Sequence, residues 1–247
     1  MLPIRDHNPS GRTPYVTYAL IAMNVGIFIS YWPLFSDPRA LYQFYYSWAM
    51  TPDMVLQQGT WDTLVTSMFL HGGWMHLAGN MLFLWIFGDN MEDRMGHVGY
   101  LIFYILCGVG AGLAQLISEP YSGVPTVGAS GAIAGVMGGY LLLFPKAKVD
   151  ILIIIVIIFR ILPIPAWIVL GMWFAFQLFN GLTMPTGDGG VAYWAHAGGF
   201  IIGIILTIPM FLRLGGPQFW ARTHGHPPNP EAEYVYARTR IPKVRRK

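Results

Sequence analysis

Long apolar stretches separated by short polar segments make up most of the chain. A helix needs about 20 mostly apolar residues to cross the hydrocarbon core of a bilayer. Reading between the charged residues gives six such stretches, at about 15–32, 75–87 with a polar extension to 96, 97–117, 130–144, 165–180 and 191–212. The pattern predicts an all-α polytopic membrane protein, a bundle of six transmembrane helices.

The segments between these stretches differ in character. Residues 33–61 mix charges with aromatic side chains, which is typical of a loop partly embedded at the membrane interface. The apolar run between Asp150 and Arg160 holds nine residues, too few to cross a bilayer as a helix, so we predict a surface-lying strand or a buried segment. Glycine and proline indicate a turn-rich connection at 118–127 and a flexible loop at 181–190.

Composition supports a membrane protein. Of the 247 residues, 54% are hydrophobic and 11% are charged, which is too apolar for an ordinary soluble domain. The single cysteine, Cys107, excludes a disulfide framework and a cysteine-based metal site. No nucleic-acid-binding motif is visible, and we predict a lipid bilayer as partner with no nucleic acid, no metal and no cofactor.

The positive charges set the expected orientation. Lysine and arginine concentrate in short cytoplasmic loops of membrane proteins. With six spans and both termini in the cytoplasm, Arg39 alone among the 15 lysines and arginines falls outside. We therefore predict a cytoplasmic N-terminal segment (1–14), a membrane domain (15–212) and a basic cytoplasmic tail (213–247), in a bacterial or archaeal cell membrane.

Three polar groups in different apolar stretches are expected at one depth. Ser130 lies 16 residues before Lys146, and His196 lies 17 residues before Arg213. His76 lies 16 residues before the charged end of its own stretch. At about 1.5 Å per helical residue, all three rise about 24–26 Å from the cytoplasmic side. Polar groups at such a depth are costly unless they pair or line a wet cavity, so they are candidates for function.

These residue types indicate acyl-transfer chemistry. A serine hydroxyl becomes a nucleophile when a neighbouring base takes its proton, and histidine is the usual base near neutral pH. The negative charge of a tetrahedral intermediate then needs hydrogen-bond donors aimed at it. Ser130 begins a helix, whose first N–H groups are unpaired. His76 and Asn80 are spaced i and i+4, so both side chains can reach the same oxygen.

Each group also has a plainer explanation on its own. Ser130 could bond its own helix backbone, and His76 with His196 could bind a metal, although no nearby carboxylate or cysteine cluster supports this. His71 could be a cap residue, a metal ligand or an anchor of the first loop, and we favour the anchor. The glycines fit close helix packing. We assign structural support to the following residues: His71, Gly128, Gly131, Gly199 and Gly203.

Three separate motifs carry a family resemblance. They are Gly-Ala-Ser-Gly at 128–131, His-Leu-Ala-Gly-Asn at 76–80 and Ala-His-Ala-Gly-Gly at 195–199. In this order they resemble the rhomboid family of intramembrane serine proteases, over roughly 60–212. Further matching positions are 69–72, 88–96 with Glu92 and Arg94, and Trp173 with Gln177.

The resemblance implies both a fold and an activity. It implies a six-helix core, a dyad of Ser130 and His196 without a third acidic member, and an oxyanion site shared by the Ser130 amide, His76 and Asn80. The implied substrates are single-span or polytopic membrane proteins that enter from the side. The fifth helix and the loop after it are the implied gate and cap.

The sequence departs from the family pattern in two places. Many relatives carry an aromatic residue four positions after the serine, where it stacks on the histidine, and this chain has Ala134 there. We expect His196 to be held less firmly, or to be supported from another position. The first loop also lacks a Trp-Arg pair. An alternative is therefore a catalytically inactive rhomboid-like protein that binds transmembrane segments.

Overall fold

The computed structural model describes residues 2–155, 158–184, 190–227, 229–232 and 234. The elements follow in chain order: β1 (Leu2–Asp6), α1 (Tyr15–Tyr31), α2 (Pro38–Trp48), α3 (Pro52–Gln58), α4 (Thr63–Thr66), α5 (Trp74–Met95), α6 (His97–Ser118), α7 (Ser130–Leu143), β2 (Lys148–Ile155), β3 (Ile158–Pro165), α8 (Ala166–Thr183), α9 (Tyr193–Arg213) and α10 (Pro217–Thr223). Short 3-10 helices occupy Trp32–Ser36 and Ser67–Phe69.

Each predicted span corresponds to a helix, and four of these segments are long and apolar enough to cross a membrane. They are Tyr15–Ser36, His97–Ser118, Ala166–Thr183 and Tyr193–Arg213. The helix α7 is apolar but has only 14 residues, about 21 Å of helix. The helix α5 has 22 residues but ends in a charged turn. The helical membrane bundle is therefore present, while the count of six spans stays a prediction.

The helix α7 lies in the middle of the bundle. It contacts α5, α6, α8 and α9, and most of its side chains are buried. Small residues allow this close packing, because a β-carbon added at Gly199 would lie 2.1 Å from the carbonyl oxygen of Gly131. The single cysteine, Cys107 on α6, is fully buried, and its Sγ lies 2.5 Å from the position of a β-carbon on Gly135. The bundle is thus built around backbone contacts of α7.

The prediction of an all-α fold was incomplete, because three strands form an antiparallel sheet in the order β1-β2-β3. The run between Asp150 and Arg160, predicted as a surface-lying strand or a buried segment, lies in two antiparallel strands, the end of β2 and the start of β3. The strand β1 was missed, since it is five residues long and pairs with β2 far along the chain. The sheet ties the start of the chain to the connection between α7 and α8.

Asp150 anchors β1 to this sheet. It is buried, and its carboxylate accepts hydrogen bonds from Arg5 Nε at 2.7 Å and from His7 Nε2 at 2.8 Å. Burial alone would raise the pKa of Asp150, but the hydrogen bonds from Arg5 and His7 outweigh it and hold the pKa below its usual value. The ionised carboxylate is therefore part of the folded sheet.

The described part of the predicted tail packs against the body of the protein. Trp220 on α10 donates its indole N–H to the carbonyl of Leu142 at 3.0 Å, and Lys148 on β2 pairs with Glu231 at 2.7 Å. The basic residues at 238–247 and residues 185–189 of the predicted flexible loop lie outside the described residues.

Candidate active site

Ser130 is the first residue of α7 and is half-buried at the edge of a cavity. The preceding turn depends on Gly128, whose φ of 131° is a conformation that favours glycine. The N–H of Gly128 donates to the carbonyl of Ser67 at 3.0 Å, which fixes this turn against the chain before α5. The first N–H groups of a helix have no partner within the helix, so the Ser130 amide lies where an anion is favoured.

His196 lies in the first turn of α9, next to Ser130. Its Nε2 is 2.7 Å from the Oγ of Ser130. The start of α9 is held by Gln115 of α6, whose side-chain oxygen accepts the N–H of Ala195 at 3.2 Å. A serine hydroxyl at this distance can pass its proton to a neutral imidazole.

The second ring nitrogen of His196 also has a protein partner. Its Nδ1 lies 2.9 Å from Oε1 of Gln177 on α8. The ring of Trp173, one turn earlier on α8, lies 5.8 Å from the His196 ring between centroids, with a tilt of 34°. The sequence pointed to Trp173 and Gln177 only through the family resemblance, and this contact with His196 was not predicted.

His76 faces the same space from α5. The N–H of Gly72 donates to its Nδ1 at 3.2 Å, so in the neutral ring the proton lies on Nε2. A β-carbon on Gly128 would lie 2.8 Å from that Nε2 and 3.4 Å from the Oγ of Ser130. His76 therefore presents an N–H donor close to the serine.

Asn80 lies one turn after His76, as the spacing predicts. Its side chain is buried, and its Nδ2 has no hydrogen-bond partner among the described residues. An unpaired buried donor costs about 1–3 kcal/mol, and this one is available to form a hydrogen bond with a group that enters the cavity. Asn80 and His76 line the same cavity as Ser130.

The cavity has a volume of about 660 Å³. It is lined by most of the predicted site residues, namely His76, Asn80, Gly128, Ser130, Gly131 and His196. Its lining also includes Trp173, Gln115, Glu119 and Ser122. The cavity can hold water beside the serine and has room for a peptide segment.

The remaining predicted support residues lie away from this lining. The main-chain carbonyl of His71 accepts hydrogen bonds from the hydroxyl groups of Tyr31 and Tyr45. The main-chain N–H of His71 donates to the Tyr31 hydroxyl. These contacts tie α1 and α2 to the turn before α5, and the role of His71 as an anchor of the first loop stays a prediction. Gly199 and Gly203 lie at the contact of α7 with α9.

A metal site has no geometric support in the described part of the chain. No three histidine, cysteine, aspartate or glutamate side chains come together there in a way that could hold a metal ion. The His71 and His76 rings approach to 5.1 Å between centroids, but no third such ligand joins them in the described ranges.

Comparison with known proteins identifies a family and several relatives. The family model of the Rhomboid domain matches residues 58–213. Rhomboid protein 1, mitochondrial, of Saccharomyces cerevisiae is 28% identical over 201 residues, which cover 77% of this chain and 51% of that protein. Rhomboid protease AarA of Providencia stuartii is 34% identical over 173 residues, covering 62% of this chain and 57% of that protein.

A third relative matches a shorter stretch. Rhomboid protease GluP of Bacillus subtilis is 39% identical over 87 residues, covering 35% of this chain and 17% of that protein. The chain thus spans about half or less of the length of most of these relatives. Together with the apolar helices, the similarity identifies an integral membrane protein.

Proposed function

The chain belongs to the rhomboid family, and from this premise we propose that it is an intramembrane serine endopeptidase. It cleaves peptide bonds in or near transmembrane segments of membrane proteins. The observation that carries the proposal is the 2.7 Å between Ser130 Oγ and His196 Nε2 at the edge of the cavity. A serine that served helix packing alone would have no need of an imidazole at this distance.

In the first half of the reaction, Ser130 acts as nucleophile and His196 as base. The serine Oγ attacks the carbonyl carbon of the substrate while His196 Nε2 takes the hydroxyl proton. When the tetrahedral intermediate collapses, the same proton passes to the leaving amine and the C–N bond breaks. The product is an ester between Ser130 and the substrate's acyl group.

The negative oxygen of that intermediate needs donors that are already in place. The Nε2–H of His76, the free Nδ2 of Asn80 and the amide of Ser130 are donors of this kind. Their protein surroundings leave them unpaired or open to the cavity. Preorganised donors of this type each contribute about 2.7–4 kcal/mol to transition-state stabilisation in serine proteases.

Water completes the reaction by attacking the ester, with His196 taking a proton from it and returning that proton to the Ser130 oxygen. The cavity provides space for this water beside the two side chains. The product carries a new carboxyl group, and the enzyme is restored.

The topology that accompanies this activity is part of the proposal. Six spans place both termini in the cytoplasm, and the substrate segment enters from the side, with α8 and the loop after it as gate and cap. Single-span or polytopic membrane proteins are the substrates. The relatives include mitochondrial and bacterial proteins, and for this chain we propose a bacterial or archaeal cell membrane.

The experiment uses the full chain purified into liposomes with a generic single-span substrate. Cleavage is expected, and it is expected to vanish in Ser130→Ala and in His196→Ala. A fluorophosphonate probe should label Ser130 and lose that labelling in His196→Ala. Cleavage that persists in Ser130→Ala contradicts the proposal.

The same assay tests the inactive alternative. A chain that binds the transmembrane segment but neither cleaves it nor reacts with the probe is the inactive rhomboid-like protein. Wild-type labelling at Ser130 that depends on His196 excludes that alternative.

A further inference from the structure

A histidine base must carry its proton on the nitrogen that faces away from the nucleophile. In this protein Nε2 faces Ser130, so Nδ1 has to hold the proton. An acceptor beside Nδ1 selects that tautomer and fixes the direction of the ring. The atom beside Nδ1 is Oε1 of Gln177, at 2.9 Å.

The side-chain amide of Gln177 is oriented by a second contact. Its Nε2 donates to the carbonyl of Trp173, one turn earlier on α8, at 3.4 Å. With the amide nitrogen turned toward that carbonyl, the amide oxygen is the atom left for His196. A reversed amide would offer a donor to Nδ1 and select the unproductive tautomer, with the ring proton facing Ser130.

The same helix face supplies the second support of the ring. The inward face of α8 carries Trp173, Phe174 and Gln177, and Phe174 stacks on Phe200 of α9 with 4.7 Å between centroids. The opposite face carries exposed apolar side chains, namely Met172, Phe176 and Phe179. The helix α8 therefore lies at the edge of the bundle. Its two contacts with His196, through Gln177 and Trp173, depend on how it packs against α9.

The helix that carries the serine cannot supply an aromatic support. Position 134 on α7 holds an alanine that is fully buried. Among the described residues the hydrogen-bond partners of the His196 ring are Ser130 and Gln177, and Trp173 is the aromatic ring beside it.

We propose that Gln177 is a positioning residue that holds His196 in the productive tautomer, in place of an acidic third member. This inference rests on the proposed protease function. The nucleophile, the base and the positioning residue then come from three helices, α7, α9 and α8. His196 can accept a proton as long as α8 is packed against α9. An outward movement of α8 would remove the acceptor from Nδ1 and the ring of Trp173 together.

Three variants on α8 test the proposal. Gln177→Leu keeps the approximate size but removes the acceptor, and Gln177→Glu restores one. The control is Asn180→Leu, because Asn180 is also buried on α8 and also donates to the carbonyl four residues earlier, that of Phe176. Asn180 does not line the cavity.

The readouts are kcat and KM on the single-span substrate, the rate of probe labelling at Ser130 and the thermal unfolding midpoint. Loss of the partner that orients a metal-bound histidine costs about 10–100-fold, and we expect an effect of about that size here. Gln177→Leu should therefore lower kcat and the labelling rate with little change in KM. Asn180→Leu should keep a kcat close to that of the wild type.

The glutamate variant separates orientation from packing. Gln177→Glu should retain most of the activity and move the acid limb of its kcat/KM profile to higher pH, because a carboxylate stabilises the protonated ring. His76 and Glu119, ionisable side chains that line the same cavity as His196, are unchanged in every variant.

Three results would overturn the inference. The first is a Gln177→Leu variant with the kcat of the wild type, and the second is an equal loss of kcat in Gln177→Leu and Asn180→Leu. The third is a Gln177→Glu variant that is as inactive as Gln177→Leu although its thermal unfolding shows that it is folded. Ser130→Ala in the same preparation keeps the tests separate, since cleavage that survives it contradicts the protease function itself.

Discussion

A β-carbon placed on Gly203 would lie 2.0 Å from the carbonyl oxygen of Gly135. The main chains of α7 and α9 therefore touch with no side chain between them. Gly199 repeats this contact one turn earlier, against the carbonyl of Gly131. Because Ser130 begins α7 and His196 lies in the first turn of α9, this spacing sets the distance between their side chains.

Gly203→Ala should therefore lower both stability and activity. The contact is about 1 Å shorter than a β-carbon can tolerate, so the two helices must move apart, and a misplacement of about 1 Å can cost about 100-fold in rate. The thermal unfolding midpoint and kcat/KM measure the two effects.

Gly171→Ala on α8 is the control for that substitution. A β-carbon at Gly171 would meet no atom within 4 Å, so we expect wild-type behaviour. If Gly203→Ala matched Gly171→Ala in both measurements, backbone contact would not set the geometry of the site.

Gly128→Ala should abolish activity through the turn before Ser130. The new β-carbon would lie 2.8 Å from His76 Nε2, and a φ of 131° strains any residue with a side chain. We expect loss of probe labelling at Ser130 while the protein remains folded, because the change lies at the cavity and outside the helix contacts. A labelling rate equal to that of the wild type would contradict this expectation.

Asn80→Ala should lower kcat by about 10²–10³-fold with a smaller change in KM, since an oxyanion donor acts mainly in the transition state. The free Nδ2 of Asn80 has no hydrogen bond to lose, and its burial without a partner is itself costly, so the variant should be no less stable than the wild type.

The matched control for Asn80 is Asn90→Ala. Asn90 lies on the same helix, and its Nδ2 donates to the carbonyl of Asn8 at 2.6 Å. This variant should lose stability and keep kcat. The reverse pattern in the two variants would remove Asn80 from the oxyanion site.

Asp150→Asn should release β1 in a pH-dependent way. The folded-state pKa of Asp150 lies below its usual value, so its contribution is present above the unfolded-state pKa of about 3.9 and disappears as the pH falls through the folded-state pKa. Hydrogen exchange of residues 2–6 should be faster in the variant than in the wild type at neutral pH, and the two should converge in acid. A difference that stays constant down to pH 2 would contradict the role of the carboxylate.

The helices could be predicted closely from the sequence. Apolar stretches bounded by charges gave 15–32, 97–117 and 191–212, and the structure has helices at Tyr15–Tyr31, His97–Ser118 and Tyr193–Arg213. Counting residues from the charged ends also placed Ser130, His196 and His76 at one depth, and all three line one cavity.

Contacts between distant, weakly patterned residues could not be predicted. The strand β1 forms only because β2 offers it an edge and Asp150 offers it a carboxylate. Nothing in the apolar pattern of α8 distinguishes Gln177 from another buried amide. Its side-chain oxygen meets the His196 ring only because α8 packs beside α9. Glu92 likewise binds the first N–H groups of α1, at Val16 and Thr17, through a contact that spans two helices.

The buried position of Cys107 has a practical consequence. The chain has one thiol, and that thiol is sealed inside the bundle, out of reach of water-soluble maleimides. A cysteine introduced at Phe179, on the exposed face of α8, would be the one accessible thiol for a spin or fluorescent reporter attached to the protein in detergent. Whether α8 moves during turnover could then be measured spectroscopically in a bilayer without first removing the native cysteine.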